Sequence, residues 1–151
     1  MSGVEVTGRL LYASSEACED LWYEAGFPTT DEFLWYAVGE QRGIVINVME
    51  LARAQAECRS GLDVLTPREA AARWGVVEER PGISDLIVAL TRHCGVTTWQ
   101  VPANFPFALA KILLDKGLVL ASVPHFCPSR AVKRAQEIEW LREGVQLAEA
   151  G

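Results

Sequence analysis

The stretch 32–48, EFLWYAVGEQRGIVINV, decides the fold class. Two runs rich in aromatic and β-branched residues, 32–38 and 43–48, flank Gly39-Glu40-Gln41-Arg42. Such side chains suit a pleated, buried surface, and a short glycine-containing connection turns the chain back on itself. The stretch therefore predicts an antiparallel hairpin.

Working outward, 9–13 reads as a strand. Ser14 or Ser15 then caps a helix running through Glu24, with Ala17, Leu21, Trp22 and Ala25 inward and Gly26 as its left-handed stop. After the hairpin come a helix over 49–58 and a short strand over 62–65. Thr66-Pro67-Arg68-Glu69 is a capping box with proline at the first helical position, and it starts a helix that stops near Trp74 and Gly75. Past Pro81-Gly82, Ser84 is expected to cap a helix with Leu86, Ile87, Leu90 and Cys94 on one face and Gly95 at its end. A strand over 97–101 follows. The helix over 104–116 should face Phe107, Ala110, Leu113 and Leu114 inward, with Gly117 as its stop, before a last strand over 118–123. Strands that alternate with helices, with one early hairpin, predict a three-layer α/β domain: a mixed sheet of about six strands with helices on both faces.

Pro124 and Pro128 bracket the one candidate domain boundary, dividing the chain into 1–128 and 129–151. Cys127-Pro128-Ser129-Arg130 opens a charged amphipathic helix. Val132, Ala135, Ile138, Leu141, Val145 and Ala148 fall on one stripe, with Lys133, Glu137, Arg142, Glu143, Gln146 and Glu149 outside it. That stripe needs cover, either from its own domain or from a neighbour.

Composition excludes several function classes. A chain of 151 residues that is 50% hydrophobic can bury a core without disulfides. Its net charge of −6, with cations scattered among acids, argues against nucleic acid. Residues 1–8 carry no basic and apolar signal, and no apolar run approaches the roughly 18 residues of a membrane span, so no membrane partner is expected. Cys18, Cys58, Cys94 and Cys127 stand far apart with no C-x-x-C pair, which reads as reduced thiols in a cytoplasmic protein.

Catalytic signals are sparse. His93 and Cys94 with His125 and Cys127 lack the short spacing of zinc ligands. A thiol enzyme using Cys94 or Cys127 with a histidine would need a depressed thiol pKa. Neither a Ser-His-Asp grouping, a phosphate loop nor a paired-carboxylate motif is present. Glu50 and Arg53 are spaced to pair locally on a helix surface.

Taken together, the stretch 11–27 (LYASSEACEDLWYEAGF), then Asp31-Glu32-Phe33-Leu34 and Glu50-Leu51-Ala52-Arg53-Ala54, resembles the N-terminal domain of prolidases, Xaa-Pro aminopeptidases and creatinase. The run 128–138 (PSRAVKRAQEI) is similar to that family's entry into its catalytic domain. The resemblance implies a ribonuclease H-like domain over 1–128, with 129–151 as the first helix of an absent "pita-bread" catalytic domain. It implies two divalent metals, such as manganese, in that absent domain, and no catalytic, cofactor or metal residue in this chain. The 151 residues are thus expected to have no hydrolase activity of their own.

By the same resemblance the chain would support a homodimer and shape access to the active site. Trp22, Tyr23, Phe27, Asp31 and Trp35 are the candidates for an active-site rim or dimer contact. Thr29-Thr30-Asp31 departs from the family by lacking the arginine with which creatinase-like members hold a substrate carboxylate. The alternative is a free-standing binding or interaction module of the same fold without peptidase activity.

Overall fold

The computed structural model describes residues 3–131 and 135–150. Its elements run β1 (Thr7–Ala13), α1 (Glu19–Ala25), β2 (Phe33–Val38), β3 (Gln41–Val45), α2 (Leu51–Glu57), β4 (Asp63–Leu65), α3 (Pro67–Trp74), α4 (Ile83–Cys94), β5 (Thr98–Pro102), α5 (Phe107–Asp115), β6 (Leu120–Val123) and α6 (Ala135–Ala150). Short 3₁₀ turns at Val48–Glu50 and Pro128–Ala131 lead into α2 and precede α6.

The six strands form one mixed sheet in the order β4-β3-β2-β1-β5-β6. β2 runs antiparallel to both its neighbours, β1 and β3, and the other pairs are parallel. The hairpin is tighter than the sequence suggests. Gln41 pairs with Val38 and Arg42 with Ala37, so only Gly39 and Glu40 form the loop. Gly39 takes φ 59°, the positive value that the first position of such a two-residue turn demands.

Alternation along the strands divides the core between the two faces of the sheet. Leu10, Leu34, Tyr36 and Val45 face α3, α4 and α5, where Trp74, Leu90 and Leu113 complete one cluster. Leu11, Phe33, Trp35 and Ile44 face α1 and α2, where Leu21, Ala54 and Phe126 complete the other. Because β2 contributes large side chains to both clusters, it reads in sequence as an unbroken apolar run. The capping box at α3 is formed, with Thr66 Oγ1 accepting from the Glu69 N–H at 3.2 Å and Glu69 Oε2 accepting from the Thr66 N–H at 2.8 Å.

Three helix starts differ from expectation. α1 begins after Cys18, because Ser14 closes a separate turn before it: its hydroxyl accepts from the Ala17 N–H at 3.3 Å. Ser15 instead faces inward, donating to the Phe27 carbonyl at 2.6 Å. In the shorter helix Cys18, Leu21 and Ala25 are buried, while Ala17 and Trp22 lie outside. Gly82, not Ser84, precedes α4, and Asp85 Oδ2 accepts its N–H at 2.8 Å. α5 starts at Phe107, not Asn104, since Phe105 fills the core position just before it. Leu109 and Leu113 therefore point inward with Ala110 at their side, leaving Phe107 82% exposed and Leu114 largely exposed.

Of the terminal stripe, Val132 and the Ala135 side chain lie outside the described residues, as do Lys133, Arg134 and Gly151. The described part, Ile138, Leu141, Val145 and Ala148, is exposed. The described part of this face does not dock α6 on the domain.

Candidate interaction surfaces

Two features concentrate function-bearing geometry, namely the segment that leads into α6 and the loop after α1. The first is held by side chains of β1 and α1. Arg9 donates to the Phe126 carbonyl and to Cys127 Sγ at 3.7 Å, while its guanidinium lies 4.5 Å from the Phe126 ring centre and 5.5 Å from that of Trp35. Phe126 meets Trp35 edge-on with ring centres 6.1 Å apart. Cys127 Sγ donates to Glu24 Oε1 at 3.2 Å, and Arg42 approaches the other oxygen of that buried carboxylate at 3.5 Å.

Farther along, Tyr23 Oη donates to the Ser129 carbonyl at 3.2 Å. Arg130 bridges Asp20 at 2.9 Å and Glu19 at 3.1 Å. Glu19, Asp20, Tyr23 and Glu24 are successive acidic and phenolic groups of α1, so one short helix supplies most of the polar grip. Contacts with the domain thus continue through Arg130. The exposed ion pairs contribute about 0–1 kcal/mol each, less than the burial of the Phe126 ring, about 2 kcal/mol. The segment is fixed chiefly by packing, and its charges set its register.

Beyond it, α6 presents an apolar face wider than the expected stripe. Trp140 and Leu147, 60% and 76% exposed, extend the row of Ile138, Leu141 and Val145. At about 100° per residue these five side chains span half of the helix circumference, an arc that also carries Glu137. Arg142 and Glu139 pair at 4.0 Å on the other half. A search for one strict i, i+3, i+4 row misses Trp140 and Leu147, which flank it. A wider angular window would have found them.

The loop 27–31 is tethered from within. Ser15 Oγ accepts from the buried Thr29 N–H at 2.9 Å, and Thr29 Oγ1 accepts from the Asp31 N–H at 3.1 Å. Of the expected rim residues, Phe27 and Trp35 are wholly buried and Tyr23 nearly so. Phe27 packs edge-on against Phe33 at 6.2 Å between ring centres. Phe27 and Trp35 belong to the core cluster of the α1 and α2 face, because β2 turns Trp35 inward and Gly26 swings Phe27 under the sheet, whereas Tyr23 is buried beside the 126–130 segment. Trp22, 48% exposed, and Asp31 are at the surface.

An arginine does stand beside this loop, contributed by α2. The Arg53 guanidinium lies 4.6 Å from the Phe27 ring centre and donates to Glu50 Oε2 at 2.9 Å through Nε and 2.6 Å through Nη2. The Glu50–Arg53 pair is thus formed as expected, and the hydrogen bond to Glu50 raises the arginine's pKa above its usual value. No local pattern signals the contact with Phe27, since only the fold brings α2 over the loop.

Solved structures share this fold. An X-Pro aminopeptidase from Thermotoga maritima matches 96% of this chain with a TM-score of 0.73 at 12% identity, over 39% of its own length. The Xaa-Pro dipeptidase from Bacillus anthracis does so over 37% of its length, with a TM-score of 0.73 at 14% identity. The fold is that of the prolidase and Xaa-Pro aminopeptidase N-terminal domain. The chain spans less than two-fifths of those two enzymes. An Xaa-Pro aminopeptidase chain from Streptococcus pyogenes matches at a TM-score of 0.57 and 13% identity over 79% of both chains. No protein-family model matches the sequence, and no curated protein does.

Within this domain the thiols are electrostatically unfavourable nucleophiles. Burial pushes Cys127 up to about 12, helped by the Glu24 hydrogen bond and charge, and pushes Cys58 up to about 11. Burial likewise raises Cys18 and Cys94. The depressed value that a Cys94 or Cys127 nucleophile requires is reversed in both. Among the described residues no group of three or more His, Cys, Asp or Glu side chains is placed to hold a metal ion. No helix among the described residues is long and apolar enough to cross a membrane.

Proposed function

We propose that this chain is the noncatalytic N-terminal domain of a metal-dependent Xaa-Pro dipeptidase or aminopeptidase, supporting a homodimer and shaping access to the active site of a catalytic domain. The observation that carries this reading is the match of 96% of the chain to about two-fifths of such enzymes. The uncovered apolar half of α6 is the face on which the catalytic domain seats. The grip of α1 on 126–130 fixes where that domain begins relative to the sheet. Of the candidates for an active-site rim or dimer contact, Trp22 and Asp31 are at the surface, and rim residues of this kind would limit entry to small peptides.

Catalysis belongs to the other domain, where two divalent ions such as manganese would activate water. An X-prolyl aminopeptidase from Caenorhabditis elegans, 14% identical with a TM-score of 0.53 over 82% of this chain and 20% of its own, is described as cytosolic with a di-nuclear active site. Four free thiols suit the same reducing compartment here.

One observation favours a second reading, a free-standing interaction module. The matched Streptococcus thermophilus aminopeptidase P chain is covered over 81% of its length by 80% of this one, at 15% identity and a TM-score of 0.59, so the two chains are of similar length. The deciding experiment is to sequence the source gene past the codon for Gly151. A frame continuing into Asp, Asp, His, Glu and Glu metal ligands supports the peptidase reading. An immediate stop codon overturns it and leaves the module.

A further inference from the structure

We propose that the cleft at the end of β3 and β4 binds a short peptide with free termini, Glu32 receiving its ammonium group and Arg68 its carboxylate above an apolar floor. The cleft has a volume of about 620 Å³, within the range of small-ligand sites. It opens where the parallel strands β3 and β4 end and α3 begins, the side of an α/β sheet at which ligands collect. Leu34, Val45 and Leu86 form its buried floor, with Pro67 and Pro81 among its walls.

The polar groups of the cleft fall into two sets. Thr66 is committed to Glu69, and the Asn47 side-chain oxygen accepts from the Met49 N–H at 3.1 Å. Arg68 is exposed and forms no ion pair among the described residues. Glu32 interacts with the Tyr12 hydroxyl, which burial, reinforced by the Glu32 charge and hydrogen bond, holds above its usual pKa. Tyr12 is therefore a neutral donor there, and the carboxylate keeps lone pairs for a second donor.

The spacing selects the ligand. Glu32 immediately precedes β2 and Arg68 lies in the first turn of α3, directly after β4. β3 lies between β2 and β4, so the two anchors are set by strands about 10 Å apart, two strand spacings. An extended dipeptide or tripeptide spans about 7–10 Å. A cation and an anion carried by elements at that strand spacing, with an apolar floor between them, match a peptide with hydrophobic side chains better than a single amino acid. The inference stands apart from the parent-enzyme reading, because it uses only this chain's residues and applies equally to a free-standing module.

The test is a nuclear magnetic resonance titration of the full 151-residue chain with leucyl-leucine, its N-acetyl form, its C-terminal amide and leucine. Saturable shifts at Leu34, Val45 and Leu86 methyls are expected for the dipeptide. Arg68→Ala and Glu32→Gln should each weaken binding about fivefold, an exposed ion pair's worth. Each blocked dipeptide should lose about as much on its own, a comparison that needs no variant to fold. Absence of saturable shifts, equal binding of the blocked forms, or equal binding of leucine would overturn the proposal.

Discussion

The guanidinium of Arg9 sits 4.5 Å from the ring centre of Phe126, a residue 117 positions later in the chain. The first strand thereby clamps the segment that leads into the final helix. Phe126→Ala should cost about 3–5 kcal/mol in urea unfolding, since it empties a buried site between Trp35 and Arg9. Arg9→Lys keeps the charge but loses the planar stacking, so it should chiefly loosen the segment. Trypsin should then cut after Arg130 earlier than in the unaltered chain. Unchanged cleavage would mean that α1 alone holds 126–130.

Gly43 is fixed by packing rather than by backbone freedom. A Cβ there would collide with the Tyr36 hydroxyl and approach the Asp63 carbonyl oxygen at 2.8 Å. Gly43→Ala should destabilise the domain by about 1–3 kcal/mol and separate β4 from β3. Loss of amide-exchange protection at Val64 and Leu65, with β5 and β6 still protected, is the expected signature.

The sheet could be read from the sequence because its signals are local. The aromatic and β-branched runs around Gly39, the Thr66–Glu69 box and the glycine stops at Gly26, Gly75 and Gly95 each act within a few residues. Features set by tertiary competition were not legible in that way. Ser14 closes a turn instead of a helix, and Phe105 takes the core place that spacing assigns to Phe107. The burial of the candidate aromatics was least readable, because an aromatic residue on β2 or beside Gly26 looks the same whether it faces core or solvent. Only the fold shows that Trp35 and Phe27 face the core and that Arg53 covers the loop.

Two helix starts should make stability acid-sensitive. The Thr66 N–H, and then its hydroxyl, holds Glu69 below the usual carboxylate range, while Lys116, and then the Gly82 N–H, does so for Asp85. Both folded values lie below the unfolded ones, so the stabilisation is present above the ordinary carboxylate pKa and is lost as pH falls through the folded values. Stability should hold from neutral pH to about 5 and decline below about 4. The double variant Glu69→Gln, Asp85→Asn should be less stable at pH 7 and show a shallower acid decline. Thr66→Ala should cost about 1 kcal/mol. A steeper acid decline in the double variant would contradict the assignment.

The native thiols should alkylate slowly at neutral pH. With Cys58 at about 11 and Cys127 at about 12, little thiolate forms near pH 7. The half-buried Cys58 and Cys94 should react with iodoacetamide before the buried Cys18 and Cys127. Mass spectrometry of a pH series would identify each site. One thiol reacting fast with a midpoint below its ordinary pKa would revive a cysteine nucleophile.

The apolar half of α6 should govern association and leave the fold untouched. Ile138, Leu141 and Val145 are exposed and belong to neither core cluster, so substituting Leu141→Lys and Val145→Lys removes no intradomain packing. The melting temperature should change by no more than surface substitutions allow, about 0.5 kcal/mol in stability. The unaltered chain should gain mass with concentration in analytical ultracentrifugation, and the exposed Trp140 should shift its emission to the blue as that face is covered. The double variant should stay monomeric over the same range with Trp140 emission unshifted. A concentration-independent monomer whose α6 resists proteolysis would instead mean that the helix folds back on its own domain.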